Sequence, residues 1–394
     1  MSADPFEIRD EVEIKPTGVR RVRNGHLWVY ASDVVRQPED ESPPLVKVID
    51  SHRNALGFAF YSKASQIRLR MLSRDAEPPT AELLSSRVRA AVSRRRSLMQ
   101  QDTACRLIFG EADLLPSIVV DRYAGYLVLQ TLSAGADALK SHVVDILRQI
   151  LDPPGILERN DLKIRRFEGL AEVRGMLWGA VPERIRIVEG DVSFVVDLSA
   201  GQKTGFFLDQ RENRIAARGY AAGRALDCFT NTGGFALHFA RGCDSVLAVD
   251  VSRESLEQGR RNAELNGITN VEFREANAFD LLRELERAGE QFDTVCLDPP
   301  AFAKNRASLP GARAGYKEIN LRSMKLLKPE GILVTSSCSY HLSAADFANL
   351  LHQAAHDAHR NVQILEGRSQ SSDHPVLTGM PETHYLKCFV LRVL

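Results

Sequence analysis

Short segments of alternating hydrophobic and polar residues fill the N-terminal part of the chain, from about residue 12 to residue 73. Alternation with a period of two is typical of strands that bury one face, and turn residues separate the segments. The segments are VEIKPTG, HLWVYAS, LVKVID, ALGFAFYS and IRLRMLS. Together they predict a small β-barrel.

A helical pattern begins after residue 75. In AELLSSRVRAAVSRRRSL the apolar residues recur at the spacing of one helix face. Two strand-like segments around the turn DRYAGY follow, then a helix that ends at Asp152, Pro153 and Pro154, then the strand-like GILERN. This order predicts a small α+β domain.

From about residue 185 the pattern changes to strands that alternate with longer helices. Such alternation favours a doubly wound parallel sheet with right-handed crossovers. We therefore expect three domains, over residues 1–75, 76–184 and 185–394, of which the last is an α/β domain.

Composition excludes some classes of protein. No apolar run approaches the roughly 20 residues of a membrane span, and the N-terminal MSADPFEIRD is not the basic and apolar start of a secretory signal. The cysteines lack the spacing of a zinc site or a disulfide framework: Cys105, Cys228, Cys243, Cys296, Cys338 and Cys388. We expect a cytoplasmic protein with reduced thiols, no metal and no membrane partner.

Charge is balanced over the whole chain, with 51 basic and 51 acidic residues. Basic residues nevertheless cluster in three places, and such clusters either contact phosphates or only solvate a surface. The clusters are Arg20, Arg21 and Arg23, then Arg94, Arg95 and Arg96, then Arg159, Lys163, Arg165 and Arg166.

A strand followed by a tight turn and a helix predicts a ligand site in the C-terminal domain. ALDCF runs into TNTGG and the helical FALHFARG, and the next strand, SVLAVD, ends at Asp250. Backbone N–H groups of such a turn face a ligand at the sheet edge, and a carboxylate at the next strand end accepts from both hydroxyls of a ribose. We expect these residues to bind a cofactor: Asp227, Phe229, Asn231, Gly233 and Asp250.

The composition of the turn decides between two nucleoside cofactors. A dinucleotide needs three spaced glycines so that the backbone can approach the pyrophosphate. This turn has only the adjacent Gly233 and Gly234. The absence of a phosphate in S-adenosylmethionine explains a looser glycine requirement, so we favour that cofactor over a nicotinamide dinucleotide.

Two further strand ends complete the predicted site. Asn277 follows the third strand, where a side chain would reach the adenine. The next strand ends in Asp298, Pro299 and Pro300, followed by Phe302. Because two prolines restrict the backbone and remove two N–H donors, they predict a stiff loop beside the cofactor.

These residues resemble the bacterial 23S ribosomal RNA cytosine-C5 methyltransferases, a family that joins an N-terminal PUA domain to a class I methyltransferase domain. The resemblance covers nearly the whole chain. Its segments are GQKTGFFLDQRENR, DCFTNTGGFA, LDPPAFAKNR, GYKEIN, SSCS, DHPVL and YLKCF, with GHLWVYASDV and ALGFAFYSKASQIRLRMLS near the N-terminus.

The resemblance implies a Rossmann-like class I methyltransferase domain, a PUA-type RNA-binding barrel, 23S ribosomal RNA as partner and a homodimer. It also implies that GQKTGFFLDQR closes over S-adenosylmethionine. Lys203, Thr204, Phe206 and Arg211 would then line the methionine end of the cofactor. Asn277 departs from the family, in which Asp is common, although an amide oxygen also accepts from the adenine amino group.

Methylation at C5 of cytosine requires a nucleophile that first adds to C6, and a cysteine thiolate is the natural choice. Cys338 lies at the C-terminal end of the strand-like GILVTSSCSYH, where open α/β sheets place reacting groups. Position alone favours a small buried hydrophobe over a catalytic cysteine. The resemblance favours Cys338 as the nucleophile, with Asp298 bound to the N3 edge of the cytosine.

The base that removes the C5 proton is not identified by the sequence. Lys304, Tyr316 and Lys317 either reach the target or belong to a solvated face, and we expect structural roles for His341 and His374. Two other functions stay open. One is exocyclic N-methylation of guanine or adenine in RNA, in which Cys338 would have no role, and the other is RNA binding without activity.

Overall fold

A computed structural model describes residues 4–8, 10–39, 44–198, 205–303 and 305–394. These residues form two compact units. The first comprises residues 1–187, 196–206 and 373–383, and the second comprises residues 188–195, 207–372 and 384–394. Within the described ranges, no helix is long and apolar enough to cross a membrane.

A six-stranded sheet opens the first unit, in the spatial order β2-β6-β5-β4-β1-β3. Alternate side chains of these strands pack into an apolar core that includes Val12, Val29, Val48 and Leu69. The strands are β1 (Glu11–Ile14), β2 (Trp28–Tyr30), β3 (Val34–Arg36), β4 (Leu45–Ile49), β5 (Ala55–Tyr61) and β6 (Ile67–Ser73). The predicted strand-rich segment is confirmed.

One helix interrupts this segment, which the sequence pattern assigned to strands and turns alone. Helix α1 (Pro16–Arg23) begins at a proline, whose fixed φ and missing N–H suit the first helical position. Val19 and Val22, three residues apart, are buried on one face of the helix. The prediction missed this helix because a helix of two turns has too few apolar residues to distinguish a helical period from a strand period.

A second, five-stranded sheet of the first unit has the order β11-β10-β9-β8-β7. Its helices are α2 (Ala81–Arg94), α3 (Arg96–Gln101), α4 (Ala134–Ala138) and α5 (Lys140–Leu151). Its strands are β7 (Ala104–Phe109), β8 (Ile118–Tyr123), β9 (Tyr126–Thr131), β10 (Gly155–Asn160) and β11 (Val173–Gly179). Ala124 and Gly125 both have positive φ, as a two-residue hairpin turn between β8 and β9 requires.

A hairpin of β12 (Arg184–Glu189) and β13 (Val192–Asp197) precedes the large sheet of the second unit. The order of that sheet is β16-β15-β14-β17-β18-β20-β19. Its strands are β14 (Arg224–Cys228), β15 (Ser245–Asp250), β16 (Val271–Glu275), β17 (Phe292–Leu297), β18 (Leu327–Ser337), β19 (Val362–Arg368) and β20 (Lys387–Val393). Strands β14 to β18 pair in parallel, and β20 is antiparallel to both of its neighbours.

The helices of the second unit connect these strands, as the alternating pattern predicted. They are α6 (Arg211–Arg218), α7 (Gly234–Phe239), α8 (Arg253–Leu265), α9 (Ala278–Arg287), α10 (Leu309–Leu326) and α11 (Ala344–Asp357). The strand order reverses between β14 and β17, so the chain leaves these two strands in opposite directions. A crevice at such a switch point is where open α/β sheets bind ligands.

Candidate active site

The turn after β14 has an unusual backbone. Phe229, Asn231 and Gly233 all have positive φ, of 65°, 51° and 88°. A bulky residue in the left-handed region costs roughly 1 kcal/mol or more and persists only where the surroundings hold it. A Cβ at position 233 would lie 3.2 Å from the Leu237 side chain, so close packing as well as the positive φ favours glycine at this position. The turn is therefore held in one shape at the switch point of the sheet.

Asp227 stabilises this turn from inside the sheet. Its side chain is fully buried, and Oδ2 accepts hydrogen bonds from the Thr230 hydroxyl at 2.6 Å and from the Ala236 N–H at 2.9 Å. Burial raises the pKa of Asp227 to about 7, and the negative charge of Asp298 contributes in the same direction. Asp227 thus connects the strand, the turn and the first turn of α7.

Asp250 lies at the end of β15, beside the turn. Its Oδ2 accepts from the Asn231 N–H and its Oδ1 from the Ser252 N–H, both at 2.9 Å. The side chain is partly exposed. Each oxygen of an ionised carboxylate accepts more than one hydrogen bond, so these two bonds orient the group and leave capacity for a ligand.

Asn277, at the end of β16, caps helix α9. Its side-chain oxygen accepts from the Phe279 N–H at 2.9 Å, and the residue is exposed. N-cap positions favour asparagine because the short amide satisfies an orphan N–H at the helix start. The cap fixes the side chain at the strand end, where the sequence predicted contact with adenine.

The loop after β17 is packed through its aromatic residue. Phe302 lies against Tyr316, with ring centroids 4.6 Å apart, and its other ring neighbours are Phe279 and Phe229 at 5.8 Å and 6.5 Å. The N–H of Ala303 donates to the Ser339 hydroxyl at 3.1 Å. The predicted stiff loop therefore has contacts at both the sheet and α10.

Cys338 directly follows β18, next to this loop. Its Sγ lies 3.9 Å from the carbonyl oxygen of Pro299, and its side chain is partly exposed. The other five cysteines are buried. Because β17 and β18 are parallel neighbours, the structure brings Asp298 and Cys338 together at the same edge of the sheet.

Comparison with known proteins identifies the family. Residues 167–380 match the family model of S-adenosylmethionine-dependent methyltransferases, and residues 12–74 match that of a PUA-like domain. The ribosomal RNA large subunit methyltransferase I of Tolumonas auensis is 41% identical over 380 residues, 94% of this chain and 96% of that protein. The chain belongs to this methyltransferase family. A protein of the same name from Photobacterium profundum is 41% identical over 385 residues, 95% of this chain and 97% of that protein.

The methyltransferase also resembles a solved structure over its full length. A candidate S-adenosylmethionine-dependent methyltransferase from Streptococcus mutans matches with a TM-score of 0.84, 20% identity, and coverage of 98% of this chain and 100% of that one. At this identity the likeness concerns the fold alone. The predicted Rossmann-like class I methyltransferase fold, with an N-terminal PUA-like domain, is confirmed.

S-adenosylmethionine is thus the cofactor of this methyltransferase. The groups at the ends of β14 and β15 fit it: Asp250 offers an oriented carboxylate that a ribose hydroxyl can donate to, and the turn after β14 has a fixed left-handed backbone. Nothing in this fit requires a phosphate-binding glycine loop.

Gln210 is a residue of the methyltransferase site that the sequence did not single out. It ends a short 3-10 helix, Leu208–Gln210, and is buried. Its Nε2 donates to Oδ1 of Asp298 at 2.7 Å and to the Ser336 hydroxyl at 3.1 Å, while its Oε1 accepts from Asn213 at 2.6 Å. The only available signal was its place in the segment GQKTGFFLDQR, since its partners lie far along the chain.

Of the predicted residues of that segment, the structure describes Phe206 and Arg211. Lys203 and Thr204 lie outside the described residues. Phe206 is buried in the first unit, where its N–H donates to the Tyr123 hydroxyl at 3.3 Å. Arg211 is buried in the second unit and pairs with Glu212 at 3.3 Å.

Other candidates have structural partners. Tyr316 is fully buried, and its hydroxyl lies 3.0 Å from that of Ser339, beneath the loop that carries Phe302. Lys317 pairs with Asp357 at 2.6 Å. His374 is buried beside Asp373, at 2.9 Å, as expected for a structural histidine. Lys304 lies outside the described residues.

The basic clusters of the first unit are only partly exposed. Three members are buried in ion pairs or hydrogen bonds: Arg95 with Asp113, Arg159 with Asp161, and Arg165 with Asp137. Burial of a guanidinium costs too much without such partners. Arg20, Arg23, Arg94, Arg96, Lys163 and Arg166 are exposed.

Proposed function

We propose that this methyltransferase methylates C5 of a cytosine in 23S ribosomal RNA, and that Cys338 is its nucleophile. The ribosomal RNA substrate is supported by relatives that carry the name ribosomal RNA large subunit methyltransferase I. The position on the base is supported by the chemistry of the site.

The observation that carries the proposal is the half-buried Cys338 beside the Pro299 carbonyl. Carbon C5 has no lone pair, so it becomes nucleophilic only after a group adds to C6. A thiolate at the strand end supplies that group, whereas direct methylation of an exocyclic nitrogen would leave Cys338 without a role.

The cofactor residues are assigned by their places at the strand ends. Asp250 binds the ribose hydroxyls, Asn277 the adenine, and the turn of Phe229, Asn231 and Gly233 forms the floor of the site. Asp227 acts by bracing this turn. Lys203, Thr204, Phe206 and Arg211 are assigned to the methionine end through the family resemblance. Bound S-adenosylmethionine supplies an electrophilic methyl group.

The residues of the chain then have distinct tasks. The Cys338 thiolate adds to C6, and Asp298, which Gln210 orients, holds the protonated N3 edge of the ring. After methyl transfer to C5, a base takes the C5 proton and the C6–S bond breaks, which restores the thiolate. N3 then gives up the proton that it carried in the adduct. The cytosine has to leave its stack to reach this site, at a cost of a few kcal/mol.

The first unit contributes RNA affinity through its PUA-like domain and exposed basic residues. The fold of residues 12–74 supports this assignment. We also propose that the enzyme acts in the cytoplasm, as a homodimer. Light scattering of the purified protein tests the homodimer directly.

Methylation of ribosomal RNA from cells that lack the gene tests the proposal. RNA is incubated with enzyme and labelled cofactor, then digested to nucleosides and analysed by mass spectrometry. The expected product is 5-methylcytidine, formed by the native enzyme and lost in Cys338→Ala. N-methylated guanosine or adenosine, formed equally by both proteins, would replace the proposal with exocyclic N-methylation.

A further inference from the structure

Lys387 occupies an unusual place beside the proposed nucleophile. It begins β20, where it pairs in register with Ser337 of β18, the residue before Cys338. The side chain is only 4% exposed. Its Nζ donates to the carbonyl oxygens of Ser339 at 2.7 Å and Tyr385 at 2.9 Å. A buried ammonium therefore lies along the backbone that carries Cys338.

Among the described residues, this ammonium has no carboxylate partner. Other buried cations of the chain do: Arg214 pairs with Glu189 at 2.6 Å, and Arg95 with Asp113 at 2.7 Å. Two carbonyl bonds use two of the three ammonium N–H groups. A buried cation without an anion lowers the stability of the fold. Its presence here therefore indicates a role other than stabilisation.

Among the described residues, charged and titratable groups on three elements lie near Cys338. Lys387 lies on β20, Tyr316 on α10, and Asp298 at the end of β17. Burial raises the pKa of Tyr316, so its phenol stays neutral. The carboxylate of Asp298 disfavours a second negative charge nearby. Lys387 thus supplies a positive charge that favours an anion at Cys338.

We propose that the ammonium group of Lys387 holds Cys338 in the thiolate form that attacks the base. This inference rests on the proposed role of Cys338 as the nucleophile. Lys387 is a positioning residue, because it acts on the sulfur and not on the RNA. The sequence contains it in the segment YLKCF, but no spacing connects it with Cys338.

The electrostatic coupling between the two groups supports this assignment. Burial lowers the pKa of Lys387 to about 8, and the charge of a Cys338 thiolate opposes that shift. Coupling between two sites is reciprocal, so the ammonium favours the thiolate to the same extent. The proton balance is simple: the thiol proton passes from Sγ to solvent, and the Lys387 ammonium, which stays protonated, offsets the negative charge left on the sulfur.

The test is the pH dependence of Cys338 alkylation in the full-length protein without RNA. Iodoacetamide reacts with thiolates, and peptide mass spectrometry separates Cys338 from the five buried cysteines. Rates are measured for the native protein, Lys387→Met and Lys387→Arg. Lys328→Met removes a lysine on β18 that pairs with Asp293, and serves as the control.

The native enzyme and the control should share an alkylation midpoint below the pH of about 8.5 typical of a free thiol. Lys387→Met should raise this midpoint by about one unit, so that alkylation near pH 7 is about tenfold slower. Lys387→Arg, which keeps the charge, should restore most of the rate. A loss of stability alone would not move the midpoint.

Identical midpoints in the native protein and Lys387→Met would overturn the inference, as would a native midpoint near 8.5. If Lys387→Met does not fold, Lys387→Arg and the native midpoint still decide between the two outcomes. A failure of the proposed function can be distinguished from a failure of this inference. If the proposed function is wrong, Cys338→Ala methylates RNA fully, and this result does not depend on the alkylation rates.

Discussion

At the scale of single residues, the degree of burial gives the cysteines of this chain different reactivities. Burial raises the pKa of Cys243 to about 11 and that of Cys388 to about 12, whereas Cys338 reaches the sheet edge. The positions of Asp298 and Cys338 at neighbouring strand ends were predictable because strand ends can be located in the sequence. The contacts of Gln210 and Lys387 were not predictable, because folding brings their partners from distant parts of the chain.

Replacement of Asp250 tests the cofactor assignment. Asp250→Ala removes two acceptors for the ribose, each worth roughly 1.5 to 3 kcal/mol as bonds to a charged group. It also releases the Asn231 and Ser252 N–H groups. We expect calorimetry to show cofactor affinity at least about tenfold weaker. Asp280→Ala, an exposed change on α9, is the control, and equal affinity of both variants would contradict the assignment.

At the scale of elements, strand–turn–helix order was predictable but side-chain contacts within the turn were not. The pattern located β14, α7 and β15, yet the left-handed backbone at Phe229 follows from contacts that only the folded sheet provides. Helix α1, in contrast, was not predicted at all, because a helix of two turns has too few apolar residues for its periodicity to be detected.

The buried Asp227 makes the stability of this turn depend on pH. Its folded pKa of about 7 exceeds the ordinary 3.8. Below pH 4 the carboxyl is protonated in both states, and its contribution to stability is complete. As the pH rises from 4 to 7, the unfolded chain releases the proton first, so stability is lost, by up to about 4 kcal/mol.

Asp227→Asn cannot ionise and should lack this loss. Urea unfolding at pH 4.5 and pH 8 measures the change in unfolding free energy for each protein. The native protein and the exposed control Asp280→Asn should lose more stability on going to pH 8 than Asp227→Asn does. An equal loss in all three proteins would show that Asp227 is ionised in the folded state.

At the scale of the whole molecule, a strand-rich N-terminal domain before an α/β domain was predictable because periodicity changes along the chain, and the division into three domains stays a prediction. Residues 373–383 belong to the first unit although they lie between β19 and β20 of the large sheet, and the sequence pattern gave no sign of this. Leu45, Phe60 and Leu72 of the first sheet also share a core with Leu84 and Val88 of α2. Truncation at residue 75 would expose that core, so point substitutions are the better test of RNA binding.

Neighbouring arginines provide a matched pair for that test. Arg166 is exposed, whereas Arg165 is buried and pairs with Asp137 at 3.0 Å. Arg166→Ala together with Arg20→Ala should weaken RNA binding and reduce the salt slope by about one for each phosphate that the protein no longer neutralises. Arg165→Ala should instead lower the unfolding free energy. Filter binding over a salt series checks this, and an unchanged slope in the double variant would place the RNA elsewhere.

The central claim is that Cys338 bonds covalently to C6 of a cytosine, and the most direct measurement is a trapping assay. A 23S transcript with 5-fluorocytidine in place of cytidine is incubated with enzyme and S-adenosylmethionine. Fluorine at C5 blocks the proton loss that releases the sulfur, so an adduct that survives denaturation should accumulate. Peptide mapping should place it on Cys338, and Cys338→Ala should form none. An equal adduct in Cys338→Ala, or none in the native enzyme on RNA that it methylates when unsubstituted, would contradict the claim.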